Sequence, residues 1–145
     1  MSMSRRVATA AFLLLGLLLG GCASFDAQVE RGHSLTGVQR FFIVSNSSDN
    51  HALDHRLAEA LKVRGCTAEV GPLTMMPDNT QAVVTYEANW SWDFGEHLSF
   101  MKIAVRDPQS QQSFATVTFS ARVPLHDTAP VIVGRLMDRL LPAKS

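Results

Sequence analysis

Apolar residues fall along this chain in three patterns: one unbroken run near the start, several period-two stretches, and two stripes at helical spacing. Val38–Ser45 ends in Phe41-Phe42-Ile43-Val44, which suits a strand covered on both faces. Asn46–Asn50 stops that strand and offers helix-capping side chains. Between His51 and Arg64 the residues Leu53, Leu57, Ala60 and Leu61 recur at helical spacing, and Gly65 follows as a natural terminator. Cys66–Val70 alternates as a short strand. Gly71–Thr80 is a loop whose Met75-Met76 pair is expected to cap the core.

Three longer alternating stretches come next. Ala82–Asp93 places Ala82, Val84, Tyr86, Ala88, Trp90 and Trp92 on one side. Leu98–Asp107 offers Met101, Ile103 and Val105; Ser113–Val123 offers Ala115, Val117, Phe119, Ala121 and Val123. Asp93-Phe94-Gly95-Glu96 and Asp107-Pro108-Gln109-Ser110 supply turns, so an antiparallel meander with one covered face is predicted. A final helix starts near Pro130, carries Val133, Leu136, Met137, Leu140 and Leu141, and ends at Pro142. The order β-α-β-β-β-β-α implies an α+β two-layer sandwich: a mixed, mostly antiparallel sheet of about five strands, both helices on one face. Ala23–Thr36 is polar without a sustained period and reads as a flexible tether, about 20 Å long on average.

The early run changes the picture most. Arg5-Arg6 precedes the uncharged stretch Val7–Leu19, a basic lead followed by an apolar segment of secretory length. A membrane span takes about 20 apolar residues, so this run is short for one. It closes on Leu19-Gly20-Gly21-Cys22, which resembles the lipobox of bacterial lipoproteins: an aliphatic residue, two small residues, then cysteine. The resemblance implies cleavage between Gly21 and Cys22, a diacylglyceryl thioether on Cys22 and an acylated new amino terminus. Ala23 stands where aspartate would signal retention in the inner membrane, which implies sorting to the outer membrane, periplasmic side. The expected organisation is a signal peptide over 1–21, a lipidated terminus and tether over 22–37, and one domain over 38–145.

Charge and composition mainly exclude. Removing Arg5 and Arg6 leaves 11 basic against 13 acidic side chains, a net charge of −2. Such a chain has no cationic surplus for phosphate contacts, so no nucleic-acid partner is expected. With Cys22 lipidated, Cys66 has no partner for an internal disulfide and is expected to be buried.

Candidate chemistry is sparse. His51 and His55 stand four apart, on one face if both are helical, but Ala52 replaces the glutamate of a zincin motif. No nucleophile elbow, phosphate-binding loop or dinucleotide glycine pattern occurs, and Asp93 and Glu96 belong to a tight turn. No catalytic residue, metal site or cofactor is expected. Trp90 and Trp92 are the candidate partner-binding residues: same-face aromatics that either complete the core or form a platform.

Leu53-Asp54-His55-Arg56-Leu57 through Leu61, Arg64-Gly65, Gln81–Tyr86, Val105-Arg106-Asp107 and Leu140-Leu141-Pro142 resemble a family of small Gram-negative lipoproteins of unknown function. The chain departs from that family at Ser113-Phe114-Ala115, where a tryptophan is common, and the family carries no catalytic residues to transfer. The expected role is a lipid-anchored binding or scaffold domain with an envelope protein as partner. An auxiliary subunit of an envelope transport or assembly complex is one alternative, and a small hydrolase or metal-binding protein is another.

Overall fold

The computed structural model describes residues 25–141. The leader, the predicted cleavage point at Gly21 and the lipidation residue Cys22 lie outside the described residues. In chain order the elements are β1 (Ala27–Arg31), β2 (Arg40–Val44), α1 (Leu53–Val63), β3 (Thr67–Gly71), β4 (Ala82–Ser91), β5 (His97–Arg106), β6 (Ser113–Ser120) and α2 (Ala129–Leu140). A single turn of 3₁₀ helix, Leu73–Met75, interrupts the loop after β3.

The strands form one mixed sheet in the order β1-β6-β5-β4-β2-β3. β2 lies parallel to both β3 and β4, while β4-β5-β6-β1 is antiparallel throughout. Leu53, Leu57, Ala58 and Leu61 of α1 join Ile132, Val133, Leu136, Met137 and Leu140 of α2 over one face of the sheet. Beneath them lie Phe41 and Ile43, Ala82, Val84 and Tyr86, Met101, Ile103 and Val105, and Ala115, Val117 and Phe119. This is the predicted α+β two-layer sandwich, with one strand more than expected. Arg64, at the end of α1, fastens the helices together: its guanidinium donates to Asp138 Oδ1, Gly134 O and Ala60 O.

The extra strand corrects the tether reading. Ala27–Arg31 pairs antiparallel with β6, Ala27 opposite Phe119 and Arg31 opposite Ala115. Ala27 is buried and Val29 packs against the core, whereas Gln28 and Glu30 face solvent. Two small apolar residues in five give too weak a period to read alone; pairing to a full-length neighbour supplies the rest. Phe25 stacks on Phe119 at 5.1 Å, with the guanidinium carbons of Arg139 and Arg135 at 5.1 and 5.5 Å from its ring centre. Arg31 donates to the carbonyls of Leu140 and Arg139, and Arg139 donates to Ala27 O. Gly32 ends β1 where a Cβ would sit 2.0 Å from Ser113 O, so only glycine fits there. Leu35 is buried as well, so the folded domain already includes residues 25–35, upstream of the expected start at Val38.

The second face of the sheet is not entirely wet. Phe42, Val83 and Ala104 are buried although each alternates away from the helices. Phe42 and Val83 are directly paired, and the Phe42 ring lies 3.5 Å from where a Cβ on Gly71 would be. Two smaller corrections follow from ends of elements. Cys66 precedes β3 and is half-buried rather than buried. Met75 is exposed and does not cap the core.

Candidate functional site

The side chains most suggestive of function gather where β4 turns into β5 and the loop before α1 comes against them. Regular pairing of β4 with β5 shifts at Asn89/Trp90: Asn89 faces Phe100, while Trp90 faces Leu98, so Ser99 is an extra residue. Its hydroxyl donates to Asn89 O at 3.0 Å, and its carbonyl accepts from Ala121 N at 2.8 Å. A bulge of this kind re-aims the side chains beyond it. Here it brings Leu98 into the core, which strict alternation from Met101 would not have done.

The loop between β2 and α1 is fastened from below by Asp49. Its Oδ1 accepts from His51 N at 2.8 Å, and its Oδ2 accepts from Leu53 N at 2.6 Å and from the Tyr86 hydroxyl at 2.8 Å. Burial acts to raise the Asp49 pKa, but the donors from His51, Tyr86 and Leu53 together outweigh it and hold the carboxyl below its ordinary value. Burial first, and the neighbouring Asp49 second, push the Tyr86 hydroxyl well above its ordinary range. The carboxylate therefore caps the first turn of α1 and satisfies a buried phenol.

His51 is the product of that clamp. It precedes α1 rather than belonging to it, and Ala52 between them adopts φ 52° and ψ 41°. A non-glycine residue in the left-handed region is locally unfavourable and persists because the surroundings hold it. The bend lets Leu53 enter the core while the His51 ring lies flat on Trp90, centroids 3.7 Å apart and planes 15° from parallel. His51 Nε2 pairs with Glu96 Oε1 at 2.5 Å. His51 and His55 thus do not share a helical face, because the helix starts after His51. Among the described residues no three His, Cys, Asp or Glu side chains are grouped to hold a metal ion.

The two tryptophans separate. Trp90 is half-buried against the core and under His51. Trp92 lies beyond the last residue of β4 and is 73% exposed. Phe94 is 95% exposed at the turn, with φ 62°, and Gly95 follows at φ 101°. Gly95 N donates to Trp92 O, and His97 Nδ1 bonds with Gly95 O at 2.9 Å. Sequence reasoning missed Phe94, His51 and Glu96 as parts of one rim. The Asp-Phe-Gly-Glu turn was legible, but the bulge that sets its direction has no signal of its own. A shallow groove of about 420 Å³ runs between the helices, with Val63, Arg64, Pro130 and Gly134 among its lining residues.

Fold and site together describe an α+β sandwich with an aromatic hairpin rim. No family model and no curated protein matches the chain. Solved structures with the same fold do exist. One is a PelC dodecamer from Paraburkholderia phytofirmans, with a TM-score of 0.64 at 14% identity over 83% of this chain and 100% of that one. A leucine-to-methionine variant of the same dodecamer gives 0.60 at 13% identity, with the same coverage.

Proposed function

We propose that this chain is a lipid-anchored lipoprotein of the bacterial outer membrane, facing the periplasm, whose domain acts as a non-catalytic scaffold within a larger envelope assembly. The observation that carries the reading is the leader: Arg5-Arg6, the uncharged run Val7–Leu19, and Leu19-Gly20-Gly21-Cys22 in register. Several acyl chains on one terminus give stable anchoring where a single chain does not. Asp49, the half-buried carboxylate beneath the rim, has a structural role, since both of its oxygens accept from donors that hold the loop in place. Growing cells with labelled fatty acid tests the anchor: label enters the protein, and Cys22→Ala abolishes it. Label retained in the alanine variant would refute the lipidation of Cys22.

A specific finding favours self-assembly as the form of that scaffold. Both structural neighbours are described as dodecamers. In this chain the outer sides of β1 and β3 end the sheet and have no strand beside them among the described residues. Unpaired strand edges are where chains add to one another. Light scattering on the detergent-solubilised, lipidated protein is expected to report an oligomer, and a monomer at all concentrations would sink this reading. Crosslinking in intact cells, followed by identification of what is captured, tests for an envelope protein partner.

A further inference from the structure

Pairing across the sheet puts Ala27 of β1, Phe119 of β6, Met101 of β5 and Ala88 of β4 in one row. From that row β1 runs backward to Phe25, and β4 runs forward to Trp92 and Phe94. Both therefore leave the sheet at the same end. Cys22 precedes Ala27 by five residues, a reach of at most about 18 Å. Trp92 follows Ala88 by four residues, about 13 Å of strand. A lipid on Cys22 is thus tethered within about 18 Å of that row, at the end of the sheet where the hairpin tip extends about 13 Å beyond it. Phe25, stacked on Phe119 under two guanidinium groups, leaves only Ala23 and Ser24 between the held chain and Cys22.

On this geometry, and resting on the lipid anchor at Cys22, we propose that the β4–β5 hairpin tip is a second membrane contact: Trp92 and Phe94 enter the interfacial layer of the bilayer that holds the lipid. The same end carries Val123, 57% exposed, and Arg122 beside it, three and two residues past the end of β6. Aromatic rings settle at the headgroup level, and a nearby guanidinium suits lipid phosphate. Asp93 and Glu96 limit the depth, because their carboxylates stay in the headgroup layer. Two contacts, one covalent and one aromatic, fix which end of the domain faces the membrane. The far end, where β1 finishes at Arg31 and α1 at Val63, is thereby turned toward the periplasm.

The chain has two tryptophans, so single replacements leave one reporter each. The full lipidated protein is purified from fatty-acid-labelled cells and placed in vesicles of phosphatidylethanolamine and phosphatidylglycerol, with and without bromine on the acyl chains. In Trp90→Phe the remaining Trp92 should shift its emission to the blue and be quenched several-fold by bromine. In Trp92→Phe the remaining Trp90 should change little. If Trp90→Phe folds poorly, the difference between the unaltered protein and Trp92→Phe reports the same quantity. Trp92 emission indifferent to lipid in a labelled protein overturns the contact and leaves the anchor standing. A blue shift without bromine quenching overturns it too, and shows the tip covered by a second copy. Absence of label defeats anchor and contact together.

Discussion

Midway along the sheet, the row through Ile43, Val84, Val105 and Ala115 is wholly buried beneath the two helices. At the end of the same strand β4, Trp92 and Phe94 stand in solvent. The helices account for the difference. α1 begins at Leu53 and α2 at Ala129, and neither covers the hairpin beyond Trp90. Alternation along a strand says which face a residue takes, while burial depends on whether another layer reaches that far. An apolar residue in the middle of the sheet contributes to stability; one at the tip is available to something outside the domain.

The largest expected effect that tests this contrast is Leu57→Ala. Leu57 is fully buried between α1 and the sheet, and truncation should cost about 2–5 kcal/mol by denaturant unfolding. A loss below about 1 kcal/mol would mean that α1 is not firmly seated, because deleting buried methyl groups removes both transfer energy and packing.

Next comes Gly32→Ala, aimed at the edge strand. A methyl group 2.0 Å from Ser113 O forces backbone apart, so the pairing of β1 with β6 must shift, at an expected cost of about 1–3 kcal/mol. Hydrogen exchange should quicken at Gly32, whose amide donates to Phe114 O, and at Glu30, which alternates with it on the β6 side of the strand, and stay slow in β4. Unchanged exchange in β1 would contradict its place in the sheet.

Tyr86→Phe is expected to cost about 1 kcal/mol near neutral pH, the net worth of one hydrogen bond. Its pH profile is more telling. Asp49 sits below its ordinary 3.8 in the folded state, so its contribution is present above that value and fades as pH falls through the folded pKa. Tyr86 sits above its ordinary 10.0, so its contribution is complete below that value and is lost as pH rises beyond it. The phenylalanine variant should therefore lose less stability than the parent between pH 10 and 12. Parallel curves in that alkaline window would contradict the raised pKa of the Tyr86 hydroxyl that burial first, and the Asp49 bond second, produce.

How much of this was legible follows the same divide. The long alternations of β4, β5 and β6 and the stripes of both helices carry many apolar residues, and each was readable because pattern and burial coincide there. β1 was missed because Ala27 and Val29 acquire meaning only through Phe119 and Val117 across the ladder. The split between Trp90 and Trp92 was equally hidden. It depends on where β4 ends, on the Ser99 bulge and on the left-handed bend at Ala52 that lays His51 over Trp90. Long-range contacts of this kind leave no local periodicity.

The smallest expected effect bears on the tip itself. Phe94 combines a left-handed backbone, unfavourable for a bulky residue, with 95% exposure, so the domain gains nothing visible from its ring. Phe94→Gly relieves the backbone and frees the unfolded chain, two terms of about 1 kcal/mol that oppose one another. Denaturant unfolding of the full chain in detergent should thus move by no more than about 0.5 kcal/mol in either direction, as for surface positions without partners. A loss of more than about 1 kcal/mol would place the ring in a contact within the domain and remove the case for an outward-facing tip. A near-zero change in detergent, together with weakened bromine quenching of Trp92 in vesicles, would separate the two regions: the residue is neutral for folding and matters at the membrane.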